Sequence, residues 1–344
     1  MSRRSLTLAI ASLATVAAIA VAVLFPVPYV ILMPGPTLNT LGKSTSGQPL
    51  ISITGHPTYP TNGHLNLVTI SYNGGPGSRL NLFQALRAWL APSEAVVPQS
   101  ELFPPGQTVQ QTQTQDTEQM ASSQEMATAA ALTQLHIKYQ TQVEVLATVA
   151  GYPASKVLKA GDIIEAVDGQ PVTGESSLSS IITAHPVGTT LQLEVLRAGK
   201  TLTIPVASKS SGGTAVIGVQ VQQQYKFPFN VQISVGNIGG PSAGMMFALG
   251  IIDMLTPMNL TGGKFIAGTG EITASGQVQP IGGIQQKMVG ARDAGATVFL
   301  APAGNCSATA GAVPAGLRVV KVSTLNQAVS DLEAIKAGKP VPSC

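Results

Sequence analysis

Hydrophobic and polar positions divide the 344-residue chain into one long apolar segment and a series of shorter amphipathic ones. Between Leu6 and Phe25 almost every residue is apolar and none is charged. A helix of about 20 apolar residues is long enough to cross the hydrocarbon core of a bilayer. The pattern therefore predicts a transmembrane helix over residues 6–28, which ends at Pro26-Val27-Pro28 and follows a cytoplasmic tail of residues 1–5.

The distribution of basic residues predicts the orientation of this segment. Arg3 and Arg4 precede it, and the next basic residue is Lys43. Positive charge is retained on the cytoplasmic side, so we expect a single-pass membrane protein whose C-terminal region lies outside the cytoplasm. A cleaved secretory signal is the alternative, although its apolar region is usually only about 7–15 residues long. No small-x-small cleavage site follows the apolar run here.

The two cysteines fit an oxidising environment. Cys306 and Cys344 both lie near the C-terminus, on the side that is predicted to be exported. An even number of cysteines outside the cell favours a disulfide between them. The alternative is two unpaired thiols.

Residues 29–121 form an exported N-terminal segment that could pack on the C-terminal domain. Alternating residues between Leu65 and Tyr72 predict a strand. The segment from Leu80 to Leu90 predicts a short helix, on which one stripe carries Leu82, Phe83, Leu86 and Trp89/Leu90. Between Gln107 and Gln119 the chain is rich in Gln and Thr, which predicts a hinge or surface loop.

Residues 122–210 read as a separate small domain with a leading helix. Strand patterns alternate with a tight turn at Asp168-Gly169 and a helix from Ser176 to Ala184. This order, together with "LKAGDIIEAVDGQPV", resembles a PDZ domain of the kind found in bacterial exported proteases. The resemblance implies peptide binding by strand addition to an open sheet edge. No clear copy of the family's glycine-rich carboxylate-binding loop lies between Val145 and Gly151, so a structural spacer is the alternative role.

Ser242 is the first candidate for chemistry. A strand from Val231 to Val235 leads into a glycine-rich bend, and an apolar helix then begins near Met245. Unpaired N–H groups and the helix dipole at such a position could stabilise an oxyanion beside Ser242. Serine is also a common N-cap, which is the structural alternative.

Lys287 is the second candidate. Gly282-Gly283 precedes a predicted helix in which Ile284, Met288 and Ala291 form a buried stripe, and Lys287 lies on the same side. Burial lowers the pKa of a lysine toward neutrality and could make it a general base for a serine hydroxyl. The alternative is that its ammonium group extends to water.

Composition and charge narrow the range of functions. Without Arg3 and Arg4, 17 basic residues face 16 acidic ones, so a nucleic-acid partner is not expected. The sequence has no HExxH pair and no His/Cys cluster with metal-ligand spacing, so we expect no metal and no cofactor. Gly42-Lys43-Ser44 ends like a phosphate-binding loop, but Thr37 occupies the position of its first glycine.

Three motifs carry a family resemblance. "GGPSAG", "GTGEITASGQVQPIGGIQQK" and "ARDAGATVFLAP" together resemble the proteolytic domain of Lon proteases over roughly residues 230–335. With the apolar N-terminal segment and the PDZ-like region, the chain resembles the membrane-anchored, PDZ-containing Lon-like serine proteases of bacteria. The implied fold class is α+β: an N-terminal transmembrane helix, a PDZ-like β-rich domain, and a Lon-type proteolytic domain over residues 211–344.

The resemblance implies roles for individual residues. Ser242 corresponds to the nucleophile and Lys287 to its base, while Thr269 corresponds to the threonine that helps to hold the lysine. Gly240 and Ala243 would help to form the oxyanion pocket. The implied activity is ATP-independent endopeptidase cleavage of unfolded or flexible polypeptides through an acyl-enzyme. The family also forms rings, which makes a homo-oligomer an expectation.

Two other hypotheses about the function remain open from the sequence. A Ser-His-Asp hydrolase would need one of the four histidines, which are His56, His64, His136 and His185. It would also need an aspartate, but Asp253, in the helix after Ser242, is expected to face solvent or to end that helix. A non-catalytic scaffold would use the PDZ-like domain to recruit partners and would contain a degenerate protease domain.

Overall fold

The computed structural model describes residues 3–44 and 47–344; the first two residues of the expected cytoplasmic tail lie outside this part. The helices of the described residues are α1 (Arg3–Leu24), α2 (Leu82–Trp89), α3 (Gln99–Leu102), α4 (Val109–Gln134), α5 (Glu175–Thr183), α6 (Gly244–Leu255), α7 (Ile284–Asp293), α8 (Cys306–Thr309) and α9 (Leu325–Lys336).

The strands are β1 (Pro26–Val27), β2 (Tyr29–Asn39), β3 (Ile51–Thr54), β4 (His64–Asn73), β5 (Leu80–Asn81), β6 (Ala95–Pro98), β7 (Gln140–Thr148), β8 (Ile163–Val167), β9 (Gln170–Pro171), β10 (Thr190–Arg197), β11 (Lys200–Ala207), β12 (Lys209–Ser211), β13 (Thr214–Val216), β14 (Val219–Lys226), β15 (Asn230–Ile233), β16 (Phe265–Gly268), β17 (Glu271–Ile272), β18 (Val278–Gln279), β19 (Val298–Pro302) and β20 (Arg318–Val322). The mixture of helices and strands is the α+β class expected from the sequence.

The chain forms two compact units, and the second is inserted into the first. The first unit runs to Ile137 and resumes at Phe229, and the second spans Lys138–Pro228. These limits differ from the expected ranges 122–210 and 211–344. Helix α4 belongs to the first unit because it packs on α6, and β14 belongs to the second because it pairs along its whole length with β7.

A six-stranded mixed sheet forms the centre of the first unit, in the order β20-β19-β16-β4-β2-β6. Strand β4, from the N-terminal segment, is parallel to β16, with Leu65 opposite Ile266. Strand β2 then pairs antiparallel with β4. Both Leu65 and Ile266 are fully buried. Because β4 pairs directly with β16, the segment before the inserted unit completes the sheet on which α6 and α7 pack.

Helix α4 corrects the expectation of a loop between Gln107 and Gln119. Thr108 caps the helix: its hydroxyl accepts from the Gln111 N–H, and the Gln111 side chain accepts from the Thr108 N–H. This reciprocal capping box satisfies two N–H groups that would otherwise lack partners. The inner face carries small or flexible side chains that are buried, including Thr112, Met120 and Ser123. The polar segment is therefore part of a helix that packs on α6, although its composition alone predicted a loop.

The second unit is a β-rich domain with one α-helix. Its main sheet has the order β11-β10-β8-β7-β14, and β9 pairs with β8. Val143, Val145, Leu191 and Leu193 are fully buried in its core. Helix α5 packs beside β14, which is the edge strand of the sheet.

The two ends of the chain have distinct structures. Helix α1 is long and apolar enough to cross a membrane, and none of its residues is buried within the protein. At the other end, Cys306 and Cys344 form a disulfide with a Cα–Cα distance of 5.0 Å. This bond attaches the C-terminal residue to the start of α8.

Candidate active site

Ser242 lies in the bend between β15 and α6. The backbone of Gly240 has φ of +84°, a left-handed conformation that glycine adopts without the steric cost of a side chain. Helix α4 supports the bend at two points. The Asp116 carbonyl accepts a hydrogen bond from the Gly240 N–H at 3.1 Å, and the Ser123 hydroxyl donates to the Pro241 carbonyl at 2.9 Å.

Helix α6 begins at Gly244, and its N-cap position is Ala243 without a side-chain hydrogen bond. Ser242 is therefore not the N-cap, and its hydroxyl is not used to cap the helix. Its Oγ lies instead 2.7 Å from Lys287 Nζ.

Lys287 is positioned by α7, which begins and ends where the sequence predicts. Gly283, with φ of +66°, starts the helix in the left-handed region. Ile284, Met288 and Ala291 are buried against the sheet, and Lys287 is itself only 2% exposed. The periodicity of the apolar residues thus places the lysine side chain inside the protein rather than at the surface.

Thr269 connects the two candidate side chains. It follows β16, is fully buried, and accepts a hydrogen bond from Lys287 Nζ at 3.1 Å. Its own hydroxyl donates to the Ser242 carbonyl oxygen at 2.9 Å, and the Gly270 N–H donates to the same oxygen at 2.8 Å. These bonds fix both the lysine amine and the backbone of the serine.

Burial lowers the pKa of Lys287 to about 7. Among the ion pairs of the described residues none involves this amine, so no carboxylate stabilises its charged form. A large fraction of Lys287 is consequently neutral near pH 7, and a neutral amine can accept the proton of the Ser242 hydroxyl.

The backbone around Ser242 offers two candidate donors for an oxyanion. The N–H of Gly240 is already used by the Asp116 carbonyl. The N–H groups of Ser242 and Ala243 donate to no acceptor within residues 3–44 and 47–344. The local role of Gly240 is therefore to shape the bend, and the free donors are those of the two residues that follow Pro241.

A cavity of about 700 Å³ opens onto Ser242 and Lys287. Its walls combine apolar and polar side chains, among them Val68, Ile70, Tyr72, Phe103, Asp116 and Met120. Burial raises the pKa of Asp116, and burial together with the Asp116 charge raises the pKa of Tyr72. Apart from Lys287, the charged residues in the lining are both acidic, Glu101 and Asp116.

The histidines do not join this site. No hydrogen bond connects any of them to Ser242 in the part of the chain that the structure describes. His56 contacts the ring of Phe229, and His64 stacks on Phe265. His185 lies in the second unit, with Nε2 3.5 Å from Asp168.

The position of Asp253 also differs from the one expected from the sequence. It neither faces solvent nor ends α6, since it is buried within that helix and accepts a hydrogen bond from the Leu260 N–H. No group of three or more His, Cys, Asp or Glu residues in the described ranges is arranged to hold a metal ion.

A second cavity, of about 200 Å³, lies in the second unit between α5 and the edge strand β14. Leu178, Ile182 and Val221 line it, together with the turn around Gly218. At the far end, the Glu175 carboxylate accepts the Gln223 N–H at 2.8 Å. The alternation of Val and Gln from Val219 to Gln222 is a strand signal in the sequence that could have identified β14.

Comparison with known proteins finds two domain families in the chain, and their matched ranges do not coincide with the limits of the two units. Residues 215–333 match the Lon protease (S16) C-terminal proteolytic domain, and residues 110–207 match the PDZ domain. "Lon protease 1" of Bacillus subtilis (strain 168) is 34% identical over 94 residues, which are 27% of this chain and 12% of that protein. "Lon protease 2" of Herpetosiphon aurantiacus is 37% identical over 91 residues, which are 26% of this chain and 11% of that protein.

Among solved structures, the crystal structure of the PDZ domain of an SdrC-like protein from Listeria monocytogenes is 26% identical. It covers 23% of this chain and 85% of its own, with a TM-score of 0.22. The chain matches only about an eighth of the length of the curated relatives described above. The motifs around Ser242 and Lys287 fall inside the first matched region. The two matches show that the chain contains the C-terminal proteolytic domain of the Lon protease (S16) family and a PDZ domain.

Proposed function

We propose that the protein is a serine endopeptidase in which Ser242 and Lys287 act as a catalytic dyad. The observation that carries the proposal is the 2.7 Å distance between Ser242 Oγ and a buried amine whose pKa is about 7. General-base activation of a serine by a neutral lysine needs both this proximity and this pKa.

The reaction follows from these positions. Neutral Lys287 takes the proton of Ser242 as Oγ attacks the carbonyl carbon of a peptide bond. The free N–H groups of Ser242 and Ala243 stabilise the oxyanion, and the resulting ammonium of Lys287 protonates the departing amine. A water molecule then gives a proton to Lys287 and attacks the acyl carbonyl carbon. As the acid product leaves, Lys287 returns that proton to Ser242 Oγ, which restores the serine hydroxyl and the neutral amine.

Polypeptides without stable structure are the proposed substrates, because an extended chain can enter the cavity above Ser242 without prior unfolding. No step at the dyad consumes a nucleotide, so we propose that hydrolysis proceeds without ATP. Adding ATP and Mg²⁺ should leave the rate of cleavage of an unfolded substrate unchanged, whereas a clear acceleration would refute this part.

Labelling with a fluorophosphonate probe and cleavage of a fluorogenic unfolded polypeptide test the dyad directly. Ser242→Ala should abolish both labelling and cleavage, and Lys287→Ala should reduce both to background. Ser307→Ala, at an exposed position of the same unit, serves as the control and should behave like the wild type. Full activity of the Lys287 variant, or loss of activity in a histidine variant, would refute the Ser-Lys assignment. Peptide binding without labelling would indicate a non-catalytic scaffold.

The second unit is proposed to bind the end of a polypeptide chain. Strand β14 is a sheet edge beside a cavity lined by apolar side chains, an arrangement that suits strand addition. The full-length protein should bind a labelled peptide with a free C-terminal carboxylate and should lose that binding when the carboxylate is amidated. Ser179→Trp, which fills the cavity, should also prevent binding; equal binding of both peptides would refute the proposal.

We further propose that α1 anchors the protein, with its N-terminus in the cytoplasm and the rest outside. Arg3 and Arg4 are the first two residues of α1, at its expected cytoplasmic end, and Pro26 and Val27 after the helix pair with β5. The intact chain should stay with membranes after carbonate extraction, and protease added outside the cell should reach only the part after α1. Release of the chain by carbonate would refute the anchor.

A further inference from the structure

Helix α2 exposes an apolar face to its surroundings. Phe83, Leu86, Trp89 and Leu90, at the end of the helix, are 57%, 50%, 74% and 76% exposed. Their spacing in the chain places them on one stripe of the helix. The sequence predicts this stripe, and the structure leaves it uncovered by the protein.

The opposite face of α2 holds the helix firmly on the first unit. Ala85 and Ala88 are buried, and Ala88 packs with Ile31 and Leu80. Asn81 and Gln84 form a capping box at the start of the helix. The exposed stripe is therefore presented by a fixed element and not by a mobile loop.

Helix α2 begins beside the end of α1. The Leu82 N–H donates to the Phe25 carbonyl at 3.2 Å, and β1, directly after α1, pairs with β5, directly before α2. The two helices are also in contact with each other. If α1 spans a bilayer, its last residue lies at the boundary of the hydrocarbon core, and these bonds place the first residue of α2 at the same boundary.

The composition of the stripe suits this boundary. Tryptophan is enriched where acyl chains meet headgroups, and Phe and Leu are typical of the apolar face of interfacial helices. Arg87 is the only charged residue from Leu80 to Pro92, and its side chain is ion-paired with Glu94 at 2.9 Å. A long arginine side chain can keep its charged group in water while the helix lies on an apolar surface.

We propose that α2 is an interfacial membrane helix, which inserts Phe83, Leu86, Trp89 and Leu90 into the leaflet at the C-terminal end of α1. The second contact, beside the spanning helix, would fix the orientation of the first unit relative to the membrane surface. The proposal rests on the anchoring role of α1 and is independent of the peptidase chemistry.

Trp89 is the only tryptophan of the chain, so its fluorescence reports directly on this face. The full-length protein is reconstituted in phosphatidylcholine and phosphatidylglycerol vesicles, with and without lipids brominated near the headgroup end of the acyl chains. Brominated lipid should quench most of the Trp89 emission, and aqueous iodide should quench little of it. Strong quenching by iodide with no effect of brominated lipid would overturn the proposal.

Two variants complete the test. Leu86→Asp places a charge in the middle of the stripe. In this variant brominated lipid should quench less of the Trp89 emission, and iodide should quench more of it. Val313→Asp, at an exposed apolar position elsewhere on the first unit, should leave both unchanged. Protection from both quenchers that grows with the protein-to-lipid ratio would indicate a second copy as the covering surface and would also overturn the proposal.

The outcome is separable from the other proposals. Carbonate extraction tests the anchor, and labelling of Ser242 by a fluorophosphonate tests the catalytic site. A wild-type protein that stays in the membrane and is labelled, but whose Trp89 is open to iodide, would refute the interfacial helix alone.

Discussion

Helices α2 and α7 carry similar apolar stripes, and the two stripes meet opposite surroundings. In α7 the stripe faces the sheet, and Lys287 is enclosed with Ile284 and Met288. In α2 the larger apolar side chains face outward, and only Ala85 and Ala88 are buried. Periodicity identifies one face of a helix, but the neighbouring elements decide whether that face meets protein, water or lipid. For a lysine on the stripe, that difference decides its pKa and therefore its chemistry.

The largest expected effect concerns the protonation of Lys287. Since only the neutral amine can accept the serine proton, kcat/KM for peptide cleavage should rise with pH through an apparent pKa near 7. Lys287→Arg keeps a charge that does not titrate in this range and should lower kcat/KM by at least ~10³-fold at every pH. A wild-type profile that falls as the pH rises through 7 would contradict the role of the neutral amine.

The same burial makes stability depend on pH. Lys287 has a pKa of about 7 in the folded protein against 10.5 for the unfolded chain, so between these values the unfolded state binds more protons. The free energy of unfolding should therefore rise with pH across this window, by about 3 kcal/mol between pH 7 and pH 10. Lys287→Met removes the titrating group and should flatten this part of the curve, as measured by urea denaturation in detergent. An equal rise in the variant would assign the effect to other groups.

Truncation of one side chain in each stripe compares the two helices directly. Met288→Ala removes a fully buried side chain and should lower the free energy of unfolding by about 2–5 kcal/mol. Leu86→Ala removes a side chain that the protein does not cover, and the change should stay within about 0.5 kcal/mol. Both values come from urea denaturation of the full-length protein in the same detergent. An equal decrease in the free energy of unfolding for both variants would show that Leu86 is buried in the folded protein.

Thr269 tests how the surroundings of α7 hold the amine. Thr269→Val keeps the shape but removes the hydroxyl that bonds both Lys287 Nζ and the Ser242 carbonyl. Turnover should fall by roughly 10- to 100-fold. The apparent pKa of kcat/KM should move further below 7, because the lost bond stabilised the charged amine. Thr269→Ser should restore most of the activity; a valine variant with wild-type kinetics would remove the threonine from the mechanism.

Much of the candidate site could be predicted from residues that are close in the sequence. The spacing of Lys287 relative to Met288 predicted that the lysine lies on the buried side of α7. The glycine residues before Ser242 predicted the bend that carries the serine. The meeting of the two side chains, 45 residues apart, depends on β16, α6 and α7 packing together, and only the family resemblance indicated it.

The rest could not be predicted because it depends on partners far along the chain. The segment from Gln107 to Gln119 lacks an apolar stripe, and the only sequence signal for its helix was the spacing of Thr108 and Gln111, which is typical of a capping box. The limits of the inserted unit differ from expectation because β14 finds its partner in β7, about 80 residues earlier. The exposed face of α2 cannot be distinguished from a buried one by periodicity alone.

Ser123 illustrates such a long-range contact at the site itself. It lies on α4, is almost fully buried, and its hydroxyl donates to the Pro241 carbonyl, 118 residues away in the sequence. The neighbouring Ser122 is exposed. The two adjacent serines therefore provide a matched pair, in which only one supports the residue before the nucleophile.

Ser123→Ala leaves the Pro241 carbonyl without this donor and should cost about 1 kcal/mol, since a neutral hydrogen bond contributes about that much. Because the lost bond holds the bend that carries Ser242, we expect a roughly fivefold lower rate of fluorophosphonate labelling. The pH dependence of labelling should remain unchanged, since Lys287 keeps its surroundings. Ser122→Ala should match the wild type in rate and stability. Equal effects of the two substitutions would mean that α4 does not position the nucleophile through this bond.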